Sequence, residues 1–191
     1  MGKSTLINLI MGMYINEYQG NIVYNGIEMK DIDMQKARKS LFGFAEQESV
    51  LVNDTILYNL TYEDGGIQAP QALLPHLQTL NMHNFINENT LSLSINDKNT
   101  NISGGEKQKI SILKVLLKNP AVMVFDEPTS ALDGEADNRF MDYLQKIKVG
   151  KLIILIAHDE LVKRQCDVIL EVNRNKETHE RIMGSKKMRL D

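Results

Sequence analysis

Cysteine is almost absent from this 191-residue chain: Cys166 stands alone, which excludes an internal disulfide framework and suits a reducing compartment. Tryptophan is missing altogether, and proline occurs only four times. There is no long hydrophobic run. The longest, Leu152 to Ala157, is six residues, against the roughly 20 that a membrane-spanning helix needs. An excess of one charge is lacking too: 22 Lys+Arg against 25 Asp+Glu gives a net charge of −3. Such a balance leaves no general field for nucleic acid or anionic lipid. What is present is a 42% apolar chain, enough for one domain with a core and room for a smaller subdomain. That apolar share excludes disorder, and the glycine spacing excludes a collagen-like repeat.

The first residues read Met1-Gly2-Lys3-Ser4-Thr5-Leu6. A secretory signal is a poor reading, because Asn8 interrupts the apolar stretch and no small-residue cleavage site follows. Myristoylation is equally poor, since Leu6 stands where Ser or Thr is wanted. The better reading is the end of a phosphate-binding loop, G-x-x-x-x-G-K-[ST]. There glycine lets the backbone wrap phosphate oxygens, lysine reaches the terminal phosphates, and the hydroxyl coordinates magnesium. Thr5 onward then forms the helix whose amino end points at phosphate, with Leu6, Leu9 and Ile10 as its apolar stripe. The first glycine of the loop and the strand that feeds it would precede Met1, so the expectation is that the sequence begins inside a domain. Losing that strand would expose neighbouring strand edges.

Along the chain, Asn21–Tyr24 and Ile27–Met29 flank Asn25-Gly26, a hairpin signal. A helix is expected at Met34–Leu41 and a strand at Phe42–Ala45. Asp54–Tyr62 reads as a helix capped by Asp54, and Pro70–Met82 as a helix with Pro75 as a possible kink. Asn84–Asn101, with six asparagines, reads mostly as loop. Gly105–Lys118 reads as a helix with Lys107, Ser111, Lys114 and Lys118 on its polar face. Ala121–Phe125 and Leu152–Ile156 are apolar throughout, as in strands buried on both faces of a parallel sheet. A helix at Glu135–Lys148 lies between them, and a strand at Val168–Val172 follows. Residues 173–191 read as a polar tail carrying Arg174, Lys176, Arg181, Lys186, Lys187 and Arg189.

Three constellations carry chemistry. Val122 to Glu127 is an apolar strand ending in two acids, where ligands of open α/β sheets gather. Asp126 there suits magnesium through water, and Glu127 suits polarisation of an attacking water. Ser103-Gly104-Gly105-Glu106 reads as a capping box. Its two glycines cost roughly 1 kcal/mol each in a helix, a cost that makes sense where a ligand approaches bare backbone. His158 follows the Lys151–Ala157 strand directly, at the same end of the sheet as the acids, and can meet a terminal phosphate or the attacking water. Gln47 closes the Phe42–Glu46 region and says little by itself.

Taken in order and spacing, Gly2-Lys3-Ser4-Thr5, Gln47, Ile102-Ser103-Gly104-Gly105-Glu106-Lys107-Gln108, Val124-Phe125-Asp126-Glu127-Pro128-Thr129-Ser130-Ala131-Leu132-Asp133 and His158 resemble the ATPase domain of ATP-binding cassette (ABC) proteins. The resemblance covers Met1 to about Val172. Gln47 to Ile56 is similar to the glutamine loop of exporters with fused membrane domains.

That resemblance implies an α/β fold, a P-loop NTPase-like and mostly parallel sheet with helices. It also implies a helical subdomain at about 54–118 that carries the signature, within a domain spanning 1–172. The implied ligands are ATP and Mg2+. Gly2, Lys3, Ser4 and Thr5 would hold the phosphates, with Ser4 and Gln47 near magnesium. Asp126 would be the magnesium carboxylate acting through water, Glu127 the catalytic base and His158 the switch on the γ-phosphate. Ser103, Gly104 and Gly105 would contact ATP held by a second cassette in a head-to-tail dimer, and Asp133 would sit in the loop crossing that interface. The implied setting is the cytoplasmic face of the cell membrane, with transmembrane partner domains, export as the task and no nucleic acid. In-line attack on a γ-phosphate needs these parts: charge neutralisation and an oriented water. Departures from the family pattern are the absent adenine-stacking aromatic upstream and Glu106, where many members have glutamine. The alternatives are a soluble cassette ATPase of translation or DNA repair, or an inactive fragment that hydrolyses ATP poorly.

Overall fold

The computed structural model describes residues 2–15, 18–61, 73–82, 88–95, 102–172 and 178–182. The chain divides into two compact units: Met1–Ala37 with Ala157–Asp191, and Arg38–Ile156. Among the described residues no helix is long and apolar enough to cross a membrane.

The first unit opens with α1 (Lys3–Ile10), preceded by Gly2 in a left-handed conformation (φ 106°). Its buried position is Ile7, followed by Met11; Leu6, expected on the buried stripe, is exposed, and Leu9 and Ile10 are half-buried. The hairpin forms at β1 (Val23–Tyr24) and β2 (Ile27–Glu28), shorter than expected because Met29 starts a 3-10 turn, Met29–Asp31. Asn25 and Gly26 both take positive φ (48° and 86°), the backbone that a two-residue hairpin turn requires. The Tyr24 hydroxyl donates to the Ile10 carbonyl, tying the hairpin to the end of α1. At its other end the unit has α8 (Glu160–Gln165) and β6 (Val168–Val172). β6 pairs antiparallel with β7 (Thr178–Ile182), so the segment read as a polar tail contains a strand. Its Thr-His-Glu-Arg-Ile sequence carries no apolar alternation, and backbone pairing to β6 is what makes it a strand.

The helix α2 (Met34–Leu41) spans the boundary and leads into β3 (Phe42–Ala45). The second unit is built on a parallel sheet in the order β3, β4 (Val122–Asp126), β5 (Leu152–Ile156). β4, in the middle, buries Met123, Val124 and Phe125 completely, as its unbroken apolar sequence predicts. β5 is only half-buried, and Leu152 is 55% exposed. Among the described residues β5 is an edge strand, so the expectation of burial on both faces holds for β4 alone.

Behind the sheet lies α6 (Gly104–Lys118), which touches β3, α3 (Ile56–Thr61) and α4 (Leu74–Thr79). It buries Ile110, Ser111, Ile112, Leu113, Val115 and Leu116, so Ser111 belongs to the core rather than to the expected polar face. Gly43 lets β3 approach α6: a Cβ there would lie 2.9 Å from Val115 and 3.0 Å from Pro120. On α7 (Gly134–Ile147), Ala136, Phe140, Met141 and Leu144 form the buried stripe, and Phe140 meets Phe125 edge to face at 5.3 Å.

Three local expectations change. The cap of α3 is Thr55, whose hydroxyl accepts the Tyr58 N–H at 3.0 Å, while Asp54 accepts the Thr55 N–H. Pro75 sits in the first turn of α4, where a missing N–H costs nothing, so it makes no kink. A short helix, α5 (Glu88–Leu91), interrupts the asparagine-rich segment. Residues 62, 70–72, 84–87 and 96–101 of these expected elements lie outside the described residues.

Candidate functional site

The carboxyl ends of β3 and β4 lie side by side. Ala45 pairs with Phe125, so two residues further on Gln47 comes level with Glu127. The Gln47 amide donates to the Glu127 carboxylate at 2.6 Å, a charge-assisted contact. Glu127 itself leaves the strand geometry: its φ of 48° and ψ of 49° are left-handed, costing a non-glycine residue about 1 kcal/mol. Four contacts hold it there. Its N–H donates to the Ile156 carbonyl at 2.9 Å, and its carbonyl accepts from Ser130 N at 3.1 Å and from the Ser130 hydroxyl at 2.8 Å. The fourth comes from Gln108, whose Nε2 donates to the Glu127 carbonyl at 3.1 Å and to the Asp126 carbonyl at 3.3 Å. Asp126 is half-buried at the strand end beside it.

Gln108 lies within the quoted signature run, yet nothing in the sequence singles it out. It is a polar residue at a position of α6 that is buried, and only the fold shows what it faces. A glutamine within an otherwise apolar helix stripe is the one signal available beforehand.

At the start of α6 the capping box is complete. Ser103 Oγ accepts the Glu106 N–H at 3.3 Å, and the Glu106 carboxylate accepts the Ser103 N–H at 2.7 Å. Ser103 and Gly104 are exposed, and a Cβ at Gly104 or Gly105 would meet nothing within 4 Å. Packing within this chain therefore does not require either glycine.

Asp133 stands directly before α7. It caps α7, accepting the Ala136 N–H at 2.9 Å on one oxygen and the Asn81 amide at 3.0 Å on the other. The Ala136 N–H, then the Asn81 amide, hold its carboxyl below the usual carboxylate range. Asn81 is suited to this reach. It follows α4 in a left-handed conformation (φ 54°), with its own N–H bonded to Gln78 and the Met82 N–H bonded to Leu77, the double closure of a Schellman end.

In the other unit, Lys3 Nζ lies 2.8 Å from His158 Nε2. An ammonium has no acceptor, so in this contact lysine donates and the imidazole nitrogen accepts. Gly2, Ser4 and Thr5 are exposed, and no side chain caps α1. The first turn thus offers backbone N–H groups, a lysine and a hydroxyl together, the donor set of an anion site.

A parallel sheet with carboxylates at its strand ends, a Gly-Lys-Ser-Thr helix start and a Ser-Gly-Gly helix cap define an α/β fold of the P-loop ATPase type. The family model described as ABC transporter matches residues 1–130. ABC transporter B family member 14 of Arabidopsis thaliana is 34% identical over 178 residues, covering 92% of this chain and 14% of that protein. The ATP-dependent lipid A-core flippase of Syntrophus aciditrophicus (strain SB) is 33% identical over 171 residues, covering 88% of this chain and 28% of that protein. Among solved structures, a bacterial Atm1-family ABC exporter with ATP bound superposes with a TM-score of 0.76 at 29% identity, over 88% of this chain and 30% of that one. The chain belongs to the ABC transporter family. It spans less than a third of the length of these relatives.

Proposed function

We propose that this chain is the ATP-binding and ATP-hydrolysing cassette of an exporter, working as one of two cassettes on the cytoplasmic face of a membrane beneath transmembrane domains. The observation that carries the reading is Glu127: a carboxylate at a strand end, in a left-handed backbone conformation, with the Gln47 amide 2.6 Å away. Such a group is placed to orient a water and accept its proton.

The residues fit the ligands. The Ser4 hydroxyl, the Gln47 amide oxygen and the Asp126 carboxylate are hard oxygen donors, and Mg2+ takes few protein carboxylates together with phosphate oxygens and water. Such an ion, brought in with the nucleotide, would supply neutralisation of the phosphate charge. Lys3 and the N–H groups of the first turn of α1 bind the phosphates, with Gly2 and Thr5 at that same turn. His158 would meet the γ-phosphate through an imidazole N–H, which at Nε2 requires that the Lys3 contact be given up and a proton gained there. Glu127 takes the proton of the attacking water, and Gln47 holds the carboxylate in place. Ser103, Gly104 and Gly105 form a helix start with open space around both glycines, suited to ATP held by a second cassette, and Asp133 would lie in the loop crossing that interface.

The test is ATPase activity of the native membrane assembly that contains this chain. Glu127→Gln is expected to lower turnover about a thousandfold while ATP still binds, since a general base contributes on that scale. Turnover unchanged by the substitution would refute the assignment. Recovery of the native protein from the soluble fraction, free of membrane partners, would favour a non-transport cassette.

A further inference from the structure

Gln108 is 5% exposed, and both ends of its amide are used. Nε2 spans the carbonyls of Asp126 and Glu127 at 3.3 and 3.1 Å, and Oε1 lies 3.1 Å from the Ser130 hydroxyl. Ser130 has one proton, which it shares between that oxygen and the Glu127 carbonyl at 2.8 Å. An apolar side chain of similar volume would fill the same space without desolvating an amide, so packing does not account for a glutamine here. What the amide does is fix two successive peptide groups, those on either side of the left-handed residue. A carboxylate swings with its own φ and ψ, so the same clamp fixes where the Glu127 side chain starts.

We propose that Gln108 is the positioning residue of the Glu127 base. It also ties that base to the helix whose exposed start is Ser103-Gly104-Gly105. Gln108 is one turn into α6, and an α-helix moves as a rigid piece over one turn. A shift of the Ser103–Gly105 end on engaging its ligand is carried by Gln108 to the Glu127 peptide. The inference rests on Glu127 acting as the base in the reading above.

Two measurements on the native assembly test it. In Gln108→Met, which keeps length and loses both polar ends, the expected result is a fall in kcat of about thirtyfold with KM for ATP changed less than twofold, the signature of a misplaced catalytic group. Ser130→Ala, at an exposed position, removes one strand of the clamp and is expected to lower kcat about threefold even if Gln108→Met folds poorly. In a Glu127→Gln background neither change should lower turnover further. A wild-type kcat in both variants, a rise in KM alone, or losses that simply add to that of Glu127→Gln would overturn the proposal. Amide exchange across Glu127–Leu132 separates the two readings. Faster exchange in Gln108→Met is expected whether or not the assembly hydrolyses ATP, and unchanged exchange refutes the clamp itself. An assembly with no ATPase sensitive to Glu127→Gln removes the base, and the inference falls with it.

Discussion

The proposed function gives Lys3 and Glu127 each a part in phosphate chemistry, and the protein holds the two side chains in opposite ways. Glu127 stands at the end of a strand with three completely buried residues, and its peptide is gripped from β5, from Ser130 and from Gln108. Lys3 stands at the start of an eight-residue helix with no side-chain cap, and the contact recorded for its ammonium is to the exposed His158. The peptide of Glu127 is thus set by the core, whereas the position of the Lys3 ammonium is left to one replaceable hydrogen bond.

The largest way to break this contrast is from beneath the sheet. Phe140→Ala removes the ring that meets Phe125 edge to face, in a helix position with no exposure. The expected loss is about 4 kcal/mol of stability, read by denaturant unfolding, with disruption of the Glu127 region included. His158→Ala acts on the other side of the comparison. It is expected to leave the melting temperature within a degree or two and to lower ATP turnover of the native assembly about fiftyfold. A comparable loss of folding stability would show that the Lys3–His158 contact is structural.

A smaller effect sits on α6. Burial, then the neighbouring Lys118, push the Lys114 ammonium down to about 8, with Glu46 opposing. Between pH 8 and the unfolded value near 10.5 the unfolded chain binds more protons than the folded one, so stability rises with pH across that window. Lys114→Met should abolish that rise and, after discounting for partial exposure, stabilise the fold at pH 7 by about 1 kcal/mol. Stability that stays flat from pH 8 to 10 in the unaltered protein would contradict this. The smallest change is expected from Asn81→Gly. Glycine suits the left-handed position, so stability should move by less than about 0.5 kcal/mol. The Asp133 carboxyl, having lost one of its donors, should titrate at higher pH by carboxyl NMR.

These contrasts also mark what the sequence could disclose. The placement of Asp126 and Glu127 at a strand end, and of Lys3 and Ser103 at helix starts, was legible because each lies in a short run whose spacing is itself the signal. Phe42–Ala45 and Leu152–Ile156 were legible as strands because nothing but an apolar sheet wants such runs. Gln108 and Asn81 were not, since their meaning lies in carbonyls and carboxylates 18 to 52 residues away. Thr55 displaced Asp54 as cap because two neighbouring residues compete for one role, and local pattern does not rank them. The strand β7 is seen in its pairing with β6, which its polar sequence does not signal.

The outer edge of β5 has a bearing on how this protein behaves in a tube. Leu-Ile-Ile-Leu-Ile is β-branched or leucine throughout, carries no charge or proline, and among the described residues shows one unpaired edge and half-exposed faces. Such a segment is a template on which a strand of any other chain can add, and it has the sequence character of a fibril-forming stretch. Lys151, directly before it, is the nearest gatekeeper on its amino side. Among the described residues β5 is therefore the strand with the sequence character for edge-to-edge association, some distance in sequence from Gln47 and Glu127.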